Sequence, residues 1–263
     1  MTNVLKYPGG KWRIADWIIQ RLPPHKVYCE PYFGSGGVFF NKQPAQIETI
    51  NDINGDIVNL FRVIRERPAE LARVLEMTPF SREEYTSCHY IEGDEVERAR
   101  RILVRHHQSY GTSNSSLNSW RNVQVSNGPC VTAQWNKLPE MVLKVCGRLK
   151  HAQIENVDAL TLIERYNSDE TLLYLDPPYL QSLRKRNMYK FEMTDKQHIE
   201  LLELIKKSKS KVCLSAYDNE LYNTYLKDWY TAEIKTIAQA GKHRVEKIYM
   251  NYQPDLLSFE DTE

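Results

Sequence analysis

Val27-Tyr-Cys-Glu-Pro-Tyr-Phe-Gly-Ser-Gly-Gly37 reads as a short buried strand running into a glycine-rich turn. Glycines at that place let backbone amides approach a ligand closely at the carboxyl edge of a sheet, although such a turn can equally be only a turn. The chain downstream supplies context. A second β-rich run, Ile47 to Asn51, ends at Asn51-Asp-Ile-Asn54. This puts Asp52 where a doubly wound fold presents an acid to ribose hydroxyls, with helix N-capping as its alternative role. Ile57, Leu60, Phe61 and Ile64 then follow the i, i+3, i+4, i+7 spacing of an amphipathic helix. Further β-rich runs lie at Gln153 to Val157, Thr171 to Leu175, Lys211 to Ala216 and Lys247 to Tyr252. Thr194-Asp-Lys-Gln197 has the form of a capping box, opening a helix whose buried face is expected to include Ile199, Leu202 and Ile205. Strands alternating with helices at both ends of the chain imply an α/β sheet covered by helices.

The middle differs. From Ser81 to about Leu149 the patterns are helical, with a second capping-box candidate at Ser81-Arg-Glu-Glu84 and one helix face formed by Val96, Ala99, Leu103 and His106. A polar, aromatic stretch, Gln108 to Arg121, follows. Loops this long inside compact domains are functional or disordered, and Tyr110 and Trp120 argue for order. The expected organisation is a catalytic domain in two parts, residues 1–60 and 150–263, interrupted by an insertion at 61–149.

Composition narrows the class. At 41% hydrophobic and 26% charged, the chain of 263 residues can bury a full core and is neither a disordered tail nor a fibre. The five cysteines are scattered without a Cys-x-x-Cys pair, which predicts reduced thiols in a cytoplasm rather than zinc or disulfide chemistry. No signal segment opens the chain and no apolar run approaches the ~20 residues of a membrane span, so a cytoplasmic protein with no membrane partner is expected. A formal charge of +1 decides nothing about nucleic acid; local clusters matter more. Basic residues gather at Arg98, Arg100, Arg101 and Arg105, at Arg184, Lys185, Arg186 and Lys190, and at Lys206, Lys207, Lys209 and Lys211, where a solvated helix face is the plain alternative.

The strand Leu172 to Leu175 leads into Asp176-Pro-Pro-Tyr179. Two consecutive prolines stiffen the chain and remove two donors, leaving the Asp176 carboxylate and the Pro177 carbonyl as outward acceptors. That arrangement suits an amino group. The exocyclic amine of adenine is a poor nucleophile because its lone pair is delocalised. Two acceptors on its N–H bonds would draw the nitrogen towards tetrahedral geometry and stabilise the charge that develops as it attacks. Asp176 could also take the surplus proton. Tyr179 offers a face for a base flipped out of its helix. The bland alternative is a proline-terminated strand with a core tyrosine.

These motifs together resemble the Dam-like, alpha-group adenine-N6 DNA methyltransferases over almost the whole chain. The match rests on Lys6-Tyr-Pro-Gly-Gly-Lys11, Glu30-Pro-Tyr-Phe-Gly-Ser-Gly36, Asn51-Asp-Ile-Asn54, Arg148-Leu-Lys150 leading to Glu155-Asn-Val-Asp158, and Asp176-Pro-Pro-Tyr179. Leu214-Ser-Ala-Tyr-Asp218 and Arg244-Val-Glu246 before Tyr249-Met-Asn-Tyr252 add to it. The resemblance implies a Rossmann-like, largely parallel methyltransferase sheet of seven strands with an inserted, mainly helical target-recognition domain, and S-adenosylmethionine as cofactor. Its sulfonium is already a good leaving group, so no metal is expected.

The same resemblance implies that Tyr7 and Lys11 border the cofactor and that Asp52 binds its ribose. Ile53 and the segment around Asp158 would flank its adenine, and Phe33, Gly34, Ser35 and Gly36 would lie beneath its methionine portion. Asp176 would touch both cofactor and target amine. Double-stranded DNA is the expected partner. Lys6 and Tyr110 border the expected DNA surface, Asn118 and Arg121 are candidates for base contacts, and Arg105, Lys185 and Arg186 for phosphate contacts. Cytosine-N4 transfer and a catalytically inactive DNA-binding module of the same fold are the competing readings. A monomer is the default with a dimer as the alternative, a cognate restriction endonuclease is a candidate partner, and a bacterial or phage origin fits.

Overall fold

Thr171–Leu175, the strand labelled β4, is buried at every position, as a central parallel strand must be when helices cover both faces of its sheet. The computed structural model describes residues 3–111, 119–123, 130–183, 188–237 and 243–255. Its short first helix α1 (Ala15–Ile19) precedes β1 (Val27–Glu30) and β2 (Ile47–Asn51). Then come helices α2 (Gly55–Glu66), α3 (Pro68–Glu76), α4 (Arg82–Ser87), α5 (Glu95–His107), α6 (Val131–Trp135) and α7 (Leu138–Leu149). The second half alternates β3 (Ala152–Glu155), α8 (Ala159–Arg165), β4, α9 (Asp195–Lys206), β5 (Lys211–Tyr217) and α10 (Glu220–Tyr225), and closes with β6 (Tyr230–Ile237) and β7 (His243–Met250).

The strands form one seven-stranded sheet in the order β3-β2-β1-β4-β5-β7-β6. The pairs from β3 to β5 are parallel, and β7 runs antiparallel to both β5 and β6. This is the mixed, Rossmann-like sheet expected from the sequence. The chain order reverses between β1 and β4, the switch point at which open α/β sheets bind ligands beyond their strand ends.

Successive side chains of β4 point to opposite faces, and each face has its own core. Leu172 and Tyr174 join Tyr28, Ile50 and the apolar faces of α2, α3, α5 and α7. Leu173 and Leu175 join Cys29, Val212 and Leu214 beneath α8, α9 and α10. The helices between β2 and β3 therefore pack into the same core as the sheet, and α2 runs continuously across residues 60 and 61.

Local chemistry explains the helix ends. The Asn54 side chain caps α2 by accepting from the Asp56 amide at 3.2 Å, and Ser81 caps α4 by accepting from the Glu84 amide. Thr194 and Gln197 form the full reciprocal capping box of α9. The buried face of α9 is rotated from the expected one: His198, Leu201, Leu202 and Ile205 are buried, while Ile199 is half-buried. Strand β7 begins four residues before the expected Lys247, and β6 carried no expectation at all.

Candidate active site

A cavity of about 680 Å³ opens at the carboxyl ends of β1 and β4. Its wall includes Tyr7, Lys11, Phe33, Gly34, Ser35, Asp52, Ile53, Asp158 and Asp176. Gly36, Pro177 and Tyr179 are not among the residues that line it.

The floor follows from backbone geometry. Gly34 and Gly36 take φ of 52° and 66°, conformations an L side chain rarely adopts. A methyl group at Gly36 would sit 2.4 Å from the Phe33 ring, which is itself wedged against Phe39, Phe40 and Phe61. Asp52 holds the loop by accepting from the Gly34 amide and from the Asn54 amide, both at 2.9 Å. Asn54, not Asp52, caps α2, so the alternative role for Asp52 is not the one it plays. Burial pushes the Asp52 carboxyl up to about 6, against the pull of those two amides. A carboxylate has about four acceptor sites, so two stay available to a ligand.

Asn51 fastens three strand ends: its amide donates to the carbonyls of Pro31 and Val157 and its oxygen accepts from the Val157 amide. Ile53 presents its side chain to the cavity at 47% exposure, unusual for isoleucine and suited to a flat apolar ligand. Asp158 faces the same space while capping α8 through the amides of Leu160 and Thr161. Glu30, at the end of β1, also lines the cavity; burial pushes its carboxyl up to about 8, and Tyr28 donates to it at 2.7 Å.

At the far end of the cavity Lys11 Nζ reaches both oxygens of Asp176 at 2.7 Å and the Gly9 carbonyl at 2.9 Å. Burial pushes the Asp176 carboxyl up to about 6, and the Lys11 charge limits that rise. Burial is the largest single influence on Lys11 and works against its ammonium, but Asp176 together with Glu246 and Tyr217 outweighs it and raises Lys11 above the usual lysine value. Tyr179 is only 8% exposed. Lys11 Nζ lies 4.9 Å from its ring centroid and Tyr217 packs edge-on at 4.4 Å, while its hydroxyl donates to Glu246 at 2.7 Å. A base stacking on this ring must therefore displace a neighbour first.

The outer wall, Tyr189 to Met193, was not anticipated from sequence. Lys190, grouped above with a basic cluster, instead pairs with Asp56 at 3.0 Å, and Arg98 holds the other oxygen of Asp56 at 2.9 Å. Arg100 and Arg101 are likewise tied to Glu97. Arg105 is half-buried in the last turn of α5. Just beyond it, Ser109 bridges to Trp120 and the Arg121 amide donates to the Gln108 carbonyl at 2.7 Å, which leaves Tyr110 73% exposed. Lys6 donates to Gln134, and burial with the nearby Arg121 charge lowers its pKa to about 8. Asn118, Lys185 and Arg186 lie outside the described residues. The N-terminal segment that carries Tyr7 and Lys11 is docked onto α5 by His106 and His107, whose rings donate to the carbonyls of Lys6 and Val4 at 2.8 Å.

A glycine loop after β1, an acid after β2 and Asp-Pro-Pro-Tyr after β4, on a seven-stranded sheet with an antiparallel end, define a Rossmann-like methyltransferase. The model of the D12 class N6 adenine-specific DNA methyltransferases matches residues 7–247, and the chain belongs to that family. It is 25% identical over 283 residues to the DNA adenine methylase of Salmonella typhi, covering 95% of each chain. It is 23% identical over 280 residues to that of Escherichia coli (strain K12), covering 97% of this chain and 96% of the relative. Similarity to the type II methyltransferase M.MjaIII of Methanocaldococcus jannaschii is 25% over 238 residues, or 77% and 78% of the two chains. The protein is thus an adenine-specific DNA methyltransferase, which sets aside cytosine-N4 transfer. It requires a methyl donor. Among the described residues no helix is long and apolar enough to cross a membrane.

Proposed function

We propose that the protein binds S-adenosylmethionine in the cavity at the switch point and methylates N6 of an adenine flipped out of duplex DNA at a specific sequence. The observation that carries this reading is the continuity of one cavity from Asp52 and Ile53 to Asp176. In it Asp52 would take the ribose hydroxyls, Ile53 and Asp158 the adenine, and Phe33 to Gly36 with Tyr7 the methionine portion. The glycine cradle and the two free acceptor sites on Asp52 fit such a group. When bound, it supplies the methyl on a sulfonium.

The chain's own residues do the rest. Asp176 and the Pro177 carbonyl accept from the two N–H bonds of the target amine, orient its lone pair and stabilise the positive charge that grows on it. Lys11 bonds both Asp176 oxygens, and each oxygen keeps a second acceptor site for the arriving amine. Asp176, held near 6 by its surroundings, is then basic enough to take the surplus proton near neutrality. Tyr179 stacks on the flipped base.

Residues 61–149 act as the target-recognition domain between the catalytic parts 1–60 and 150–263. There Tyr110 and Arg121 approach the bases with Asn118 and Arg105 approaches the phosphates, joined from the catalytic parts by Lys6, Lys185 and Arg186. The protein works as a monomer, and a cognate restriction endonuclease remains its candidate partner because some of its relatives are type II methyltransferases. Calorimetric titration with S-adenosylmethionine tests the cofactor site. One site per chain, lost in Asp52→Ala, supports it, whereas a full-affinity Asp52→Ala removes the ribose assignment.

A further inference from the structure

The segment Arg244-Val-Glu246 has no task in the reading above, yet Glu246 reaches the catalytic motif from a distant part of the chain. Strand β7 is held on both sides, with Glu246 opposite Tyr217 of β5 and Ile234 of β6. From this fixed position its carboxylate accepts from the Tyr179 hydroxyl at 2.7 Å. The prolines at 177 and 178 stiffen the backbone before Tyr179, which leaves the side-chain torsions as the remaining freedom of the ring. A carboxylate acceptor at the far end of the ring removes that freedom with a charge-assisted bond. The edge-on contact with Tyr217, the residue paired with Glu246, restrains the same ring from the side.

We propose that Glu246 is a positioning residue for methyl transfer: by anchoring the Tyr179 hydroxyl it fixes the angle of the ring against which the flipped adenine is held beside Asp176. The proposal rests on the roles assigned above to Asp176 and Tyr179. Glu246 touches neither donor nor base in this account; it acts through Tyr179 alone. A purely structural role, satisfying a buried hydroxyl, predicts a change in thermal stability and an unchanged transfer step.

The test measures single-turnover methyl transfer to duplex DNA at saturating S-adenosylmethionine, together with the dissociation constant of S-adenosylmethionine, for Glu246→Ala, Glu246→Gln, Tyr179→Phe and Glu246→Ala with Tyr179→Phe. Glu246→Ala is expected to slow transfer roughly 10- to 100-fold, the size of one lost charge-assisted hydrogen bond that orients a reacting group. The S-adenosylmethionine constant should stay within about twofold, since no cofactor contact is removed. Glu246→Gln still accepts from the hydroxyl and should recover most of the rate. Tyr179→Phe should lose about as much as Glu246→Ala, and combining the two should add nothing. A full-rate Glu246→Ala, equal losses in the Gln and Ala variants, or additive losses in the double variant would overturn the proposal. If Glu246→Ala does not fold, the Gln and Phe variants still decide, because a full-rate Tyr179→Phe also overturns it. Asp176→Asn in the same assay separates the layers: its inactivity beside a full-rate Glu246→Ala removes only the role of Glu246, whereas an active Asp176→Asn removes the site itself.

Discussion

Replacing Lys11 by methionine keeps the bulk of the side chain and removes its charge from a pair whose side chains are 5% and 18% exposed. Taking one partner from a buried ion pair typically costs ~3–5 kcal/mol, because the other charge is left without compensation. Asp176 is partly open and can take up a proton, so the lower end, about 3 kcal/mol at pH 8, is expected. Unfolding entropy of ~2.1 cal/mol/K per residue over 263 residues turns this into a Tm lowered by about 5 °C.

The pH dependence has a definite sign. Burial already raises the Asp176 carboxyl to about 6 in the folded protein, and loss of the ammonium raises it further. Glu246, Glu30, Tyr174 and Tyr179 also face Asp176, and they are unchanged in the variant. A carboxyl whose folded pKa lies above its unfolded one destabilises the fold above the folded pKa and ceases to do so as the pH falls through it. The Tm gap between Lys11→Met and wild type should therefore be largest at pH 8 and mostly close by pH 5. Adding Asp176→Asn should close it at pH 8 as well. Thermal unfolding followed by circular dichroism from pH 5 to 8 measures this, and a gap independent of pH would refute the reasoning.

Gly36→Ala forces a side chain into a left-handed residue and against a wedged Phe33 ring, with an expected cost of ~2–4 kcal/mol in denaturant unfolding; a cost below 1 kcal/mol would mean the loop is not rigid. Because Asp176 must be ionised to accept from the amine, kcat/KM should hold above about pH 6 and fall as the pH drops through it, with a profile flat to pH 4.5 contradicting that role. Arg121→Ala should cost ~1–3 kcal/mol of binding on the preferred DNA sequence and little elsewhere. Arg105→Ala should instead weaken binding to all sequences and reduce the salt slope by about 0.9, so equal effects of the two variants on all sequences would merge their roles.

What could be read from the sequence follows the physics of burial. Strands β1, β2 and β4 show as unbroken β-rich runs because both faces of a central parallel strand are covered, and their bounds were legible to the residue. The edge strand β6 alternates exposed and half-buried residues from Thr231 to Thr236, so it carries no apolar run to notice. Asp52 was legible from its place at the end of the second strand of a doubly wound pattern, and Asp176 because the two prolines beside it restrict the backbone in a recognisable way. Two features of the site were not. The bond from Lys11 to Asp176 joins residues 165 apart in the chain, and nothing local to either announces it. The wall at Tyr189 to Met193 lies far from any strand end, and a lysine such as Lys190 gives the same signal in an ion pair as on an open surface.

The central claim is that Asp176 and its motif drive transfer from S-adenosylmethionine to adenine. Its most direct test supplies S-adenosylmethionine with a labelled methyl group and unmethylated genomic DNA to wild type and Asp176→Ala, then digests the product to nucleosides. The account predicts label in N6-methyladenine from wild type and none from Asp176→Ala. A folded, cofactor-binding wild type that leaves the DNA unlabelled would contradict it and favour a DNA-binding module that keeps the fold without the chemistry.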